Sequence, residues 1–199
     1  MAAPNRMRSF DPRLVGRLEC AAWVAYYRRE WLAFLRAAIR LTRHTFGLNG
    51  PATLYGAWLV LRANQLWAPH PDNDPEGARR CMRKFYALVR RRHGERFDVA
   101  QAARLEVEWW RVHRIRQRET PGAGEDALVA ALVALYAHVY GVAPQDVRTA
   151  AAERTRAMDL SDAWVVAGCD RDSPMIDEER AALVRSYAAL LAAVHAVRS

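Results

Sequence analysis

Apolar side chains recur along most of the chain at spacings of three and four residues, the pattern of helices that bury one face. No segment shows sustained alternation of β-branched and polar residues, so a sheet is not expected. The pattern therefore predicts an all-α fold, a compact bundle of about seven helices with a long first helix.

Proline and glycine mark the ends of these helices. Proline stands at the first helical position behind a capping residue, as in Asp11-Pro12 and Asp74-Pro75. Glycine follows the periodic segments, as at Gly47 and Gly94, where a left-handed residue ends a helix. These signals predict helices over 12–46, 52–67, 75–93, 98–119, 125–140, 144–167 and 174–198.

The chain of 199 residues is long enough for one domain with its own core, and we expect a single helical domain over 1–199. One weak seam is expected at 120–124, a Pro- and Gly-rich stretch, but the apolar helix that follows needs the first four helices as cover. The longest apolar run, from Ala127 to Ala143 and interrupted by His138, covers most of that helix. Its alanines are only weakly hydrophobic, which favours a buried central helix over a membrane span.

The net charge of +8 comes almost wholly from arginine, because Lys84 is the only lysine among the 30 basic residues. Residues 1–119 carry a net charge of +12 and residues 120–199 a net charge of −4. An anionic partner should therefore meet the first part. The alternative is that the acidic last part neutralises the basic part within the same chain.

The cysteines and residues 1–11 indicate the cellular compartment in which the protein is expected. Cys20, Cys81 and Cys169 form no Cys-x-x-Cys pair, so neither a disulfide framework nor a structural zinc site is expected. Residues 1–11 lack the apolar stretch of a secretory signal. We expect a cytoplasmic protein.

Acidic residues stand out in the first helix, which is apolar almost all round. Glu19, Tyr26 and Glu30 are separated by seven and four residues, which places them on one face of an unbroken helix. A buried carboxylate needs a cation or a metal ion beside it. The two hypotheses are an arginine partner, such as Arg28, and a metal site to which both glutamates contribute.

The fourth predicted helix adds Glu106 and His113, seven residues apart on one face. A carboxylate and an imidazole on an aromatic helix are ligands of iron or manganese in helical bundles. The pair resembles one element of the haem-oxygenase-like di-metal oxidases, whose later His-x3-Asp-x2-His element this chain lacks. The alternative is a core histidine and an ion-paired glutamate.

Polar and aromatic residues on apolar helices indicate an internal pocket for a small molecule. Buried amides are also explained by hydrogen bonds that pack helices together, which is the competing interpretation. The candidate pocket residues are Tyr26, Asn64, Gln65, Trp110 and His138.

Two stripes of basic residues form the alternative site. The third predicted helix aligns Arg80, Lys84 and Arg91, and the fourth aligns Arg111 and Arg118 at a spacing of seven. Such stripes bind anions, although a basic face is more often simply solvated, so nucleic acid is not the favoured partner. An N-terminal helix-turn-helix is not expected either, because the first helix is predicted to run unbroken to residue 46.

Two functions follow from these candidates. The first is an iron-type or other divalent-metal-dependent oxidase acting on a small molecule, with Glu30, Glu106, His113 and Glu19 as ligands. The second is a non-enzymatic binding or adaptor protein whose two basic helices dock an acidic partner. Phosphate-binding loops and hydrolase nucleophile motifs do not occur. The oligomeric state is left open.

Overall fold

The computed structural model describes residues 5–118 and 125–196, and every element in this range is helical, which confirms the predicted all-α class. Short 3-10 helices span Arg6–Arg8 and Pro144–Val147. The predicted seam at 120–124 lies outside the described residues. The α-helices in this range are α1 (Pro12–Tyr27), α2 (Trp31–Phe46), α3 (Gly50–Trp67), α4 (Pro75–His93), α5 (Val99–Arg118), α6 (Glu125–Tyr140), α7 (Arg148–Val166) and α8 (Pro174–Ala196).

Helix ends follow the capping signals in the sequence. The Asp11 carboxylate accepts a hydrogen bond from the Arg13 backbone nitrogen at 2.9 Å, and Asp74 accepts one from Gly77 at 2.7 Å. At the other end of a helix, Gly94 adopts a φ of 66° after α4. These local interactions satisfy backbone groups that a helix leaves unpaired at its ends, so they fix the boundaries largely independently of tertiary packing.

The prediction of one long first helix over 12–46 is wrong, because the helix ends at Tyr27 and a second one begins at Trp31. Arg29 has a φ of 59°, and the backbone nitrogens of Arg29 and Glu30 bond the carbonyls of Tyr26 and Ala25 at 3.0 and 2.8 Å. This bonding pattern is the Schellman motif that ends helices. The argument against an N-terminal helix-turn-helix, which required an unbroken helix, loses its premise.

The contacts divide the chain into two compact units. The central unit is Leu48–Pro144, where α3 packs on α4, α4 on α5 and α5 on α6. Its core includes Val89, Val107 and Leu132, and α6 buries one side in it while Ala127, Ala130 and Ala134 are exposed. No single helix among the described residues is long and apolar enough to cross a membrane, although α6 and the helical segment after it pass that test together as a bent pair.

The terminal unit combines Met1–Gly47 with Gln145–Ser199. Here α8 packs against both α7 and α1, and α1 also packs on α2. Gly16 permits the close approach of α1 to α8, since a Cβ at that position would lie 2.8 Å from the Val184 backbone nitrogen. Trp164 and Leu183 are fully buried in this unit. The core of this unit is therefore formed by chain segments that are distant in sequence.

Candidate functional site

A cleft in the central unit brings together the end of α3, the loop after it, and one side each of α4 and α5. Its volume is about 320 Å³, at the small end of ligand-binding cavities. Its lining combines basic, aromatic and aliphatic side chains. The lining residues are Trp67, His70, Asn73, Pro75, Arg79, Val107, Arg111, Arg114, Ile115 and Arg118.

The cleft is strongly cationic. Four arginines line it, and its lining among the described residues includes no aspartate or glutamate. Two of the four are held by acids that lie outside the lining: Arg79 pairs with Glu76, and Arg111 donates to both carboxylate oxygens of Glu108 at 3.0 and 2.7 Å. Hydrogen bonding by Arg111 lowers the pKa of Glu108. Four arginines therefore line one cavity, and two of them also hold carboxylates that lie outside its lining.

Aromatic rings form one wall of the cleft. The Arg114 guanidinium lies 4.5 Å from the centroid of the Trp67 ring, within the range of a cation–π interaction. The Trp67 ring in turn lies 6.2 Å from the ring of the buried Trp110. The Arg114 guanidinium therefore lies over the Trp67 ring, and Trp110 packs behind that ring. The arginines of such a site can bind an anionic group.

The predicted basic residues divide between the cleft and open surface. Arg111 and Arg118 line the cleft, which brings them together with Arg114. The sequence-based reasoning missed Arg114 as a site residue, although its spacing of three and four residues from the other two places all three on one helical face. The remaining predicted residues lie exposed on α4 outside the lining: Arg80, Lys84 and Arg91.

Glu19, a predicted metal ligand, is instead bound by an arginine of α7. Arg154 donates to the two carboxylate oxygens of Glu19 at 2.9 and 2.5 Å, and the Tyr187 hydroxyl donates at 2.6 Å. Glu19 is only 5% exposed, so it needs this cation close by. The hypothesis of an arginine partner is the one that the structure confirms for this residue.

Glu30 lies beyond the end of α1 and so does not share a face of that helix with Glu19 and Tyr26, contrary to the prediction. Arg28 donates to Glu30 at 2.9 Å and Arg171 also pairs with it. Both arginines lower the pKa of the Glu30 carboxyl. The arginine partner is confirmed here too.

Glu106 and His113 belong to α5 in the central unit. The Tyr86 hydroxyl donates to Glu106 at 2.6 Å, and the His113 ring lies 6.5 Å from the ring of Trp109. Burial and the Glu106 charge raise the pKa of the Tyr86 phenol well above its ordinary value.

No three His, Cys, Asp or Glu side chains within residues 5–118 and 125–196 are grouped so that they could hold a metal ion. The metal site stays a prediction, which the metal content of purified wild-type and His113→Ala protein would test.

The predicted pocket residues lie in different surroundings. Tyr26 is exposed and contacts Trp31 edge to face. Asn64 donates to the Val60 carbonyl at 2.9 Å on an exposed side of α3, so a hydrogen bond to the backbone accounts for its amide. The exposed Gln65 accepts a hydrogen bond from Arg62, and a His138 ring nitrogen lies 2.8 Å from the Asp98 carbonyl oxygen. Trp110 packs against Trp67, which lines the cleft.

Glu179, a residue that the sequence pattern did not single out, is fully buried in the terminal unit. Desolvation raises its pKa to about 7, and among the described residues neither oxygen of its carboxyl group has a hydrogen-bond partner. The same surroundings raise the pKa of the Cys20 thiol. Because Glu179 follows Asp177 and Glu178 at the start of α8, the sequence resembles an ordinary acidic first turn and signals no buried acid.

No family model, curated protein or solved structure matches the chain significantly. The function is therefore inferred from the geometry and chemistry of the site.

Proposed function

We propose that the central unit binds a compact anionic molecule in the cleft between α3, α4 and α5. The observation that carries this proposal is the convergence of Arg79, Arg111, Arg114 and Arg118 on a cavity of about 320 Å³. The proposal develops the binding-protein hypothesis from the sequence and replaces an acidic docking partner with a small ligand.

The lining restricts the chemistry of the ligand. Guanidinium groups bind phosphate and carboxylate groups through paired hydrogen bonds, and four of them favour a ligand with two or more negative charges. The arginines surround one cavity, whereas Arg80, Lys84 and Arg91 lie outside it, so a small organic phosphate or polycarboxylate fits better than an extended nucleic acid strand.

Isothermal titration calorimetry at constant ionic strength tests the proposal with three probes: inorganic phosphate, citrate and adenosine monophosphate. We expect at least one probe to bind the wild type, and the Arg118→Gln variant to bind it about tenfold more weakly, because a charge-assisted hydrogen bond contributes about 1.5–3 kcal/mol. Arg83→Gln is the matched control, since it removes the same charge from an exposed position on α4 outside the cleft.

Two outcomes would contradict the proposal. One is that none of the probes binds the wild type. The other is that Arg118→Gln and Arg83→Gln weaken binding equally, which would show a response to net charge alone. Circular dichroism melts of both variants establish that a loss of affinity does not come from unfolding.

A further inference from the structure

The outer side of α2 in the terminal unit carries large apolar side chains that are open to solvent. Trp31, Leu32 and Leu35 are 59%, 73% and 44% exposed, and the exposed ring of Tyr26 lies beside that of Trp31. Single exposed apolar residues are common on protein surfaces, but a contiguous group of this size marks an interaction site. We call these four residues and the adjoining arginines the α2 surface.

The adjoining arginines make the α2 surface cationic. Arg29, Arg36, Arg40 and Arg43 are all exposed, and α2 contains no acidic residue. Within the described residues, no acidic side chain pairs with any of these four arginines. The surface therefore combines an apolar side with arginines that form no ion pair among the described residues.

This combination is complementary to an anionic lipid surface. Tryptophan, tyrosine and leucine enter the boundary between headgroups and acyl chains, while arginine keeps its charge among the lipid phosphates. Nucleic acid would match the arginines but would leave exposed leucines such as Leu32 without a partner. A symmetric contact with a second copy would set the same arginines against each other with no acid between them.

We propose that the α2 surface docks the protein on membranes that contain anionic lipids. Trp31, Leu32 and Leu35 enter the interface, and Arg36, Arg40 and Arg43 bind lipid phosphates. The helix lies along the membrane and does not cross it. This docking is independent of the anion-binding cleft, which belongs to the central unit.

Co-sedimentation with unilamellar vesicles tests the proposal, with phosphatidylcholine alone or mixed with phosphatidylglycerol. We expect binding to the mixed vesicles only, and about a tenfold weaker partition coefficient for the Arg36→Gln/Arg40→Gln variant, because each basic residue near the surface adds to the attraction. We also expect Leu32→Ser to weaken binding severalfold. Val166→Ser is the matched control, since Val166 is 90% exposed in the same unit but lies outside the α2 surface.

Several results would overturn the proposal. Equal binding to the two kinds of vesicle would remove the role of anionic lipid, and unchanged binding by Leu32→Ser would remove the role of the apolar side. A DNA duplex that displaces the protein from mixed vesicles and binds Leu32→Ser as tightly as wild type would assign the surface to nucleic acid. A wild-type dimer that Leu32→Ser dissociates, measured by sedimentation velocity without vesicles, would assign it to self-association.

Discussion

Two buried glutamates of the terminal unit, Glu19 and Glu179, avoid an isolated charge by different means. Glu19 lies against the Arg154 guanidinium, which supplies the opposite charge through two hydrogen bonds. Glu179 has Cys20 and Ser161 near it, and desolvation there favours the protonated acid. A carboxyl group that is buried without a cation beside it favours the protonated, neutral form. One that is buried beside a guanidinium stays ionised and forms an ion pair.

Protonation of Glu179 makes the stability of the protein depend on pH. Its pKa is about 7 in the folded protein and 4.5 in its ordinary state, so the folded protein binds more protons than the unfolded chain between these values. The stabilising contribution is complete below the ordinary value and is lost as the pH rises through 7. We expect this loss to reach about 3 kcal/mol in the free energy of unfolding, measured by urea titration.

The Glu179→Gln variant separates this effect from other titrations, because its amide stays neutral at every pH. We expect its free energy of unfolding to be nearly constant over the range in which the wild type loses stability. Glu178→Gln, at the exposed neighbouring position, should keep the wild-type profile. A Glu179→Gln profile as steep as that of the wild type would show that other groups cause the pH dependence.

The Glu19–Arg154 pair should be essential for the stability of the terminal unit. Arg154→Met keeps most of the side-chain volume but leaves Glu19 buried without its cation, so we expect a loss of about 3–5 kcal/mol in the free energy of unfolding. Arg185→Met is the control, because the pair of Arg185 with Glu153 is more exposed and should contribute about 1 kcal/mol or less. Similar losses for the two variants in urea unfolding would contradict this difference.

Helices were predictable from the sequence where their ends depend on local chemistry. The caps at Asp11 and Asp74 and the glycine stop at Gly94 involve neighbouring residues only, so residue type and spacing reveal them. The break between α1 and α2 is different, because Arg29 occupies a left-handed position that usually selects glycine. Arg28 donates to the Cys169 carbonyl at 2.5 Å, so this turn is held by a residue far away in sequence.

The candidate site was predictable to a similar extent. Arg111 and Arg118 were predicted from their spacing on one helix. His70 and Trp67 line the cleft because a loop and the end of α3 pack there, which spacing along one helix does not show. The partners of the predicted metal ligands were even harder to predict from the sequence, since Arg154 is 135 positions from Glu19. Sequence periodicity shows which residues share a helix face, but it does not show which distant helix lies opposite that face.

The turn at Arg29 allows a direct test of the helix break. Glycine adopts a positive φ without the steric penalty of a Cβ, so we expect Arg29→Gly to raise the free energy of unfolding by up to about 1 kcal/mol. The same substitution inside α2, Arg36→Gly, should lower it by about 1 kcal/mol. Thermal and urea unfolding of both variants measure the two signs. If Arg29→Gly destabilises as much as Arg36→Gly, residue 29 is helical and α1 continues into α2.

In the whole molecule, the order of the chain places the central unit between the two segments of the terminal unit. Those segments are joined by ion pairs of Glu19 with Arg154 of α7 and of Glu30 with Arg171 of the loop after α7, and in both pairs the acid comes from the first 47 residues. The overall separation into a basic first part and an acidic last part therefore does not determine these pairings. The buried Glu19 and the half-buried Glu30 each pair with the arginine that the fold places beside them.

The central unit is one continuous segment with its own buried core, so we expect it to fold when it is produced alone. The fragment 48–144 contains α3 to α6 and every residue that lines the cleft, and it should unfold cooperatively and bind the same anion as the full chain with a similar affinity. The fragment 145–199 contains α7 and α8 but lacks α1, against which α8 packs, so it should not unfold cooperatively. Circular dichroism melts and calorimetric titrations of the two fragments measure these outcomes. A fragment 48–144 that is helical but melts without a cooperative transition would show that its core needs the terminal unit, since a fixed core unfolds as one unit and a loosely packed one does not.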